Sequence, residues 1–571
     1  MAHLDRTVER RKQQPLCAMT HAKEEKKEEG GMQMRKKKVS TDIMAPNLSC
    51  MPDEVLGMIL GNFCLHCTRE HDYDGPEGYF RSDKRGEQDP DCPPWYSHDY
   101  PPALHSMCLV SRHFLSIAQP LLHHAFLPGY GDSWRSTVFS WDRRLSAFLR
   151  TIARRPDLAA SVKRIYVHPN LLCQIRSEEA NSALDDAARV LVNLDVAEYT
   201  AHFEAILAEA GSLYTDRLRL LGVVLSLVPN LDRLGLQVTG PTGGIPALAF
   251  QTLASAISPG HRPQSRLKTL DICSQSEGQK LFDLDHHASG ILEVAGDNLE
   301  TLNIHMCGAA GLCIGEDRLR LRHLRITQSW LGDVSLGKVL SACAPGLETF
   351  VFEASYPSTE SLQCVFVWPD GVDRRQPTDL LLRHLVKFRA TLKSLHFDLR
   401  SRSYPPGGFT RPLSGTDTLT SFKALENVFI SASSICSPEE PVNSDTELLT
   451  NLLPPNIRTL NLAGDTLVVA TNRLAKALSH LAKTAAQGDG RFGALERVRC
   501  DASMAQVVDE LAVPELFATA GIDFGYESWS LSEATVPKGA LSMWDRINDG
   551  YAHWPSVPMP LPPDNDSDLD L

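Results

Sequence analysis

The sequence predicts an α/β solenoid, with a small all-α unit near the N-terminus followed by an irregular horseshoe on a parallel sheet. Two observations carry this expectation. Hexamers of one template, apolar-x-x-apolar-x-apolar, recur along the chain, and each is tied to a stretch whose apolar residues have helical spacing. Ahead of them, two segments near residues 51–63 and 104–122 place apolar residues at a period of 3.6.

At 571 residues the chain exceeds what one compact core usually holds, so several domains or an elongated repeat array is expected. A net charge of -13 argues against sequence-independent binding of nucleic acid, which needs an excess of Lys and Arg on some face. There is no run of about 18 apolar residues, so no membrane partner is expected. The charged N-terminus lacks the hydrophobic segment of a secretory signal. A cytoplasmic and/or nuclear protein follows, with its 14 cysteines as reduced thiols.

Residues 1–45 carry Lys23-Glu-Glu-Lys-Lys-Glu-Glu29 and Arg35-Lys-Lys-Lys38 with almost nothing apolar, which predicts disorder. Arg35 to Lys38 reads either as a nuclear import signal or as part of a solvated tail. In Met51 to Phe63, Pro52 suits a first helical position, and Asp53 and Glu54 sit where the helix dipole favours negative charge. Val55, Leu56, Ile59, Leu60 and Phe63 share one face of that helix. Leu104 to Leu122 reads as one helix with two apolar stripes, Leu104, Met107, Cys108, Phe114, Leu115 and Ala118 on one and Leu109, Val110 and Ile117 on the other. Between the two segments, residues 64–103 are rich in Asp, Gly, Pro and Tyr and predict an exposed, mobile loop.

That loop opens with Cys64-Leu-His-Cys67, which has the two-residue gap of a zinc knuckle, with His71, Cys92 and His98 as available ligands. Only one half-site has sharp spacing. The preferred reading is the plainer one, in which Cys64 ends the first helix beside its apolar face, and no cofactor is expected.

Together the two helical segments resemble the F-box. Met51-Pro52-Asp53-Glu54-Val55-Leu56, Ile59-Leu60 and Cys108-Leu109-Val110-Ser111-Arg112-His113-Phe114 match its pattern in order, with Phe114 where Trp is often seen. The resemblance implies docking on a Skp-type linker subunit, and through it on a cullin, with Pro52, Leu56, Ile59, Leu60, Leu109, Val110 and Phe114 forming or supporting the linker-binding surface.

Trp141 to Leu158 reads as a helix leading into the alternating Val162-Lys-Arg-Ile-Tyr-Val167. Nine hexamers follow, beginning at Leu231, Leu267, Leu299, Leu321, Leu347, Leu392, Leu425, Ile457 and Leu495. Helical candidates among them include Ser182 to Leu207, Leu218 to Val228, Ala247 to Ile257, Ser335 to Ala344, Leu380 to Ala390, Thr446 to Leu453 and Arg473 to Ala486. The pattern resembles the leucine-rich repeat, in the irregular form that follows F-boxes in fungal proteins. Its fourth and sixth positions point into the core of a parallel sheet, and its third and fifth point outward. An ordinary doubly wound α/β sheet is the competing fold, and it does not repeat one template.

The resemblance implies that the third and fifth positions present a target protein. Arg233, Asp271, Asn303, His323, Arg325, His396, Phe429, Asn461, Arg497 and Arg499 are the candidates, and Arg325, Arg497 and Arg499 could read a phosphate or acidic motif. After the last hexamer, Ala505 to Leu511 and Pro514 to Ala520 predict helices and Ile522 to Phe524 a final strand. Aromatic residues 525–555 predict a cap on the open end of the sheet, and Pro-rich, acidic 556–571 a second tail. The domains are thus 1–45, 46–127 interrupted at 64–103, 128–524, 525–555 and 556–571.

The nucleophile-elbow, phosphate-loop, dinucleotide and zinc-protease motifs are absent from the sequence. A non-catalytic adaptor of a ubiquitin ligase is the function implied, with a repeat-protein scaffold outside any ligase as the alternative.

Overall fold

In the computed structural model, the repeated hexamers become neighbouring strands of one sheet. The structure describes residues 51–68, 100–126, 141–167, 177–190, 224–225, 227–238, 266–274, 281–311, 314–354, 379–400, 419–436, 446–464, 468–487 and 491–529. Both expected tails, the middle of the 64–103 insertion, the Ala247 to Ile257 helix and the aromatic residues beyond Trp529 lie outside them.

The chain first forms α1 (Asp53–Gly61), α2 (Leu65–Thr68), α3 (Tyr100–Val110) and α4 (Arg112–Leu122). Pro52 stands at the N-cap of α1, one residue before the first helical position expected for it, and Asp53 and Glu54 lie in the first turn as the sequence indicates. The single helix expected over 104–122 is two. Ser111 takes extended backbone angles (φ -161, ψ 166) and accepts the Phe114 N–H at 3.2 Å, so its hydroxyl caps a new helix and breaks the old one. Of the two apolar stripes, Leu104, Phe114 and Ala118 of the first enter the core and Ile117 of the second packs against it, while Leu109 and Val110 stay exposed. Leu56, Leu60, Cys64, Leu104, Phe114 and Ala118 form the core of this unit. Helix α3 also begins inside the expected loop, at Tyr100.

Next come β1 (Ala125–Phe126), α5 (Trp141–Arg154), α6 (Pro156–Ser161), β2 (Arg164–Val167) and α7 (Ser177–Val190). The helix expected over 141–158 ends at Arg154 because Pro156 cannot continue it and starts the next one. Then follow β3 (Arg233–Val238), β4 (Thr269–Ser274), β5 (Phe282–Asp283), α8 (Leu284–Ala295), β6 (Thr301–His305), β7 (Cys307–Ala309) and β8 (His323–Ser329). The rest is α9 (Asp333–Ala342), β9 (Thr349–Ala354), α10 (Asp379–Leu385), β10 (Ser394–Asp398), β11 (Asn427–Ser431), α11 (Leu448–Leu452), β12 (Thr459–Ala463), α12 (Val468–Ala486), β13 (Arg497–Asp501), α13 (Ala505–Glu510), α14 (Val513–Thr519) and β14 (Asp523–Glu527).

Twelve strands form one open parallel sheet in the order β1-β2-β3-β4-β6-β8-β9-β10-β11-β12-β13-β14, while β5 and β7 pair separately. Every expected hexamer lies in this sheet. The sheet also begins earlier than expected, because the two-residue β1 pairs with β2 (Ala125↔Arg164, Phe126↔Ile165) and belongs to the array.

Register puts like beside like. Fourth positions align as Leu270, Leu302, Leu324, Phe350, Leu395, Val428, Leu460 and Val498, all buried. Sixth positions align as Ile272, Ile304, Ile326, Phe352, Phe397, Ile430, Leu462 and Cys500, also buried in the same core. Burying these columns at roughly 25 cal/mol per Å² of apolar surface is the main favourable contribution to stacking.

One backbone device repeats at each step. The second-position carbonyl accepts two N–H groups from the next strand: Lys268 O from Glu300 and Thr301, Glu300 O from Arg322 and His323, Arg322 O from Glu348 and Thr349. The side chains at that position alternate in sign without a break: Lys163, Asp232, Lys268, Glu300, Arg322, Glu348, Lys393, Glu426, Arg458, Glu496. Ion pairs link Lys268 to Glu300 (3.1 Å), Glu348 to both Arg322 (2.6 Å) and Lys393 (2.9 Å), and Arg458 to Glu496 (2.6 Å). Among the described residues no helix is long and apolar enough to cross a membrane.

Candidate functional site

Three places concentrate chemistry: the surface of the helical unit, the polar face of the sheet, and the junction between them. On the helical unit the seven residues expected to meet a linker subunit divide. Leu56, Leu60 and Phe114 are core, because the faces they share pack α1 on α4. They support a surface and do not form one. Pro52, Ile59, Leu109 and Val110 are exposed, Leu109 by 74% and Val110 by 63%. Met58, 67% exposed, joins them and was not singled out by the sequence, since it lies off the apolar stripe of α1. Asp53 and His113 approach to 3.6 Å across the α1–α4 contact.

The outward ladder is in register as expected. Its fifth positions run Asp271, Asn303, Arg325, Val351, His396, Phe429, Asn461 and Arg499. It is not the exposed surface the template suggests. Arg233, Asp271, Asn303, Arg325, His396, Phe429 and Asn461 are buried, His323 and Arg499 are half-buried, and of the ten only Arg497 is exposed. The physical reason is that these side chains satisfy one another. Arg233 Nε donates to Asp271 Oδ2 at 2.7 Å, Asn303 Nδ2 to Asp271 Oδ1 at 2.6 Å, and Arg325 Nη1 to Asn303 Oδ1 at 3.0 Å. That chain crosses four strands. Burial, then the neighbouring Arg322, pushes the His323 imidazole below its ordinary range.

Further along, the chain covers its own ladder. Trp529, just past β14, packs edge-on against Phe429 of β11 at 5.3 Å, and Phe429 stacks flat on His396 at 4.0 Å. His396 Nε2 lies 3.3 Å from Glu353 Oε1, with both side chains buried. Arg400 grips Asp398 through Nε (3.0 Å) and Nη2 (2.9 Å) and donates to the Trp529 carbonyl at 3.0 Å. Trp529 therefore reaches back across β13 and β12 onto the face of the ladder, while residues 530–555 of the expected aromatic cap lie outside the described residues. At the last strands, Arg499 donates to Asp523 Oδ2 at 2.6 Å and lies 3.6 Å from Glu527, and Arg497 is 3.6 Å from Asp523.

At the junction, Cys64 and Cys67 are free thiols, the first buried and the second exposed. His71, Cys92 and His98 lie outside the described residues. The groups that meet the two cysteines are ones the sequence did not single out for this role. Cys64 Sγ is 3.5 Å and Cys67 Sγ 3.4 Å from His124 Nδ1, and Cys67 Sγ is 3.8 Å from His66 Nδ1. His66 turns its Nε2 toward Asp232 at 3.7 Å. Asp232, followed by Cys64, raises the His66 pKa to about 9. The Cys67 thiol, and after it the two imidazoles, favours a thiolate on Cys64, and that thiolate in turn pushes Cys67 up. His66 was visible inside the Cys-x-x-Cys gap. His124, sixty residues downstream, is brought in by tertiary structure alone.

Known protein-family models do not match the chain, and neither do curated protein sequences.

Proposed function

We propose that this chain is the substrate-recognition subunit of an SCF-type ubiquitin ligase, with residues 51–122 acting as an F-box and the sheet as a divergent leucine-rich-repeat array. The observation that carries this reading is the exposure of Leu109 and Val110 on a helical unit whose own core is already filled. Large apolar side chains left in water at the end of α3, with Ile59 and Met58 exposed on α1, suit burial by a partner. The F-box pattern in the same residues identifies that partner as a Skp-type linker, with a cullin beyond it. The protein works in the cytoplasm, the nucleus or both. It performs no covalent step, and its contribution is proximity, holding a target beside the conjugating enzyme.

Burial of the central ladder narrows the target surface. Arg325 is committed to Asn303, and Arg499 to Asp523 and Glu527, so an acidic or phosphorylated target has to outcompete internal carboxylates for Arg499. Of the ten ladder candidates, the accessible basic groups are Arg497 and, in part, His323 and Arg499.

One observation favours a second reading, in which helices α1–α4 merely cap a binding scaffold. His124 O accepts the N–H groups of Lys163 and Arg164 at 2.8 and 3.0 Å, so the helical unit runs directly into the sheet as an end cap would. Co-expression with a Skp-type subunit separates the two. The ligase reading expects a one-to-one complex that is lost in Val110→Asp while circular dichroism stays unchanged. No complex, or one indifferent to that substitution, leaves the scaffold reading.

A further inference from the structure

We propose that Cys64, His66, Cys67 and His124 form a structural zinc site that locks the helical unit onto the first strands of the sheet. Their four ligand atoms lie within 4.8 Å of one another. A tetrahedral zinc, with bonds of about 2.3 Å to sulfur and about 2.0–2.1 Å to nitrogen, places its ligand atoms roughly 3.3–3.8 Å apart. The separations of 3.5, 3.4 and 3.8 Å quoted above fall in that range. Two sulfurs and two imidazole nitrogens in a compact cluster select zinc over the oxygen-preferring divalent ions.

The backbone around the cluster is held by hydrogen bonds of its own. Cys67 N–H donates to Cys64 O at 3.0 Å, closing the tight turn that aims both sulfurs the same way. His124 is held from the other side, with its carbonyl committed to Lys163 and Arg164 and the next two residues paired in β1. His66 presents Nδ1 to the cluster and Nε2 to Asp232, the carboxylate–histidine relay that orients a ligating imidazole and fixes its tautomer. Asp232 precedes β3, so the relay ties the helical unit to a second strand of the sheet. Ligands from a short turn and from a residue sixty positions away would close a loop that contains α3 and α4. An ion there therefore contributes to folding, not to catalysis.

The inference is independent of the ligase reading, because metal content and linker binding are measured separately. The full chain, purified under reducing conditions without chelator, is expected to carry one zinc per molecule by elemental analysis. Exchange with cobalt should give the visible d–d and thiolate charge-transfer bands of a tetrahedral two-sulfur site. Cys67→Ser and His124→Ala should each weaken zinc at least about tenfold in competition with a chromophoric chelator, and Asp232→Asn about 10- to 100-fold. Chelation should lower the Tm of the wild-type chain, and added zinc should restore it. A wild-type chain with no zinc and no tetrahedral cobalt spectrum overturns the proposal whatever the variants do. So does one found with a Cys64–Cys67 disulfide and no metal. Unchanged affinity in Asp232→Asn overturns the orienting relay.

Discussion

Asp271 has no exposure and accepts from two donors, Arg233 and Asn303, which makes it the keystone of the buried ladder. Asp271→Ala should remove the buried carboxylate to which both Arg233 Nε and Asn303 Nδ2 donate, at a cost of about 3–5 kcal/mol. Urea denaturation of the variant against wild type measures it, and a loss below about 1 kcal/mol would show that the chain of bonds contributes little. At the far end of the sheet, the hydrogen bond from Arg499 holds the Asp523 carboxyl below its ordinary range. A depressed carboxylate stabilises the folded state above the unfolded pKa and stops doing so as pH falls through the folded one. Asp523→Asn should therefore flatten the acid limb of a stability-versus-pH curve, and equal acid sensitivity in variant and wild type would refute the assignment. The identities and register of these residues were legible in the template; their exposure was not. A strand pattern says which side a residue faces, whereas what covers that side depends on chain far away, as Trp529 over Phe429 and His396 shows.

Among the elements, the alternating second-position column is written in the sequence, although the template marks only apolar positions. Its chemistry is modest pair by pair, about 0–1 kcal/mol for an exposed ion pair, yet it discriminates register, since a strand shifted by one hexamer would meet like charge. Glu348→Lys, which sets three cations in a row with Arg322 and Lys393, should lower stability by about 1–2 kcal/mol, with partial recovery in the added exchange Lys393→Glu. A thermal melt series tests this, and a variant as stable as wild type would mean the column is ornamental. The break at Ser111 belongs to the same scale. The sequence shows two stripes, and the one hint of a split is Ser111, a good N-cap residue type that lacks the Glu or Gln three residues on that would complete a capping box. Ser111→Ala should cost about 1 kcal/mol and act on the helical unit, as read by hydrogen exchange in α3 and α4.

The large sheet is a linear array in which each strand pairs only with the strands next to it in the order of the chain. Stability in such an array is a sum over adjacent units, so amides in β8 to β11 should be the slowest to exchange and those in β1 and β14 faster. Uniform protection from end to end would argue for one all-or-none unit instead. The large-scale architecture was the most legible part of the sequence because a repeated template averages over local ambiguity. The junction was the least legible, since His124 and Asp232 reach Cys64 and His66 only once both units exist. The strand order has one further bearing, on biosynthesis. A chain emerging from the ribosome can lay each strand against one already made, and no site has to be kept open for a strand synthesised later. Translation itself supplies the sequence of assembly, which shortens the time during which an unpaired edge is bare to other nascent proteins.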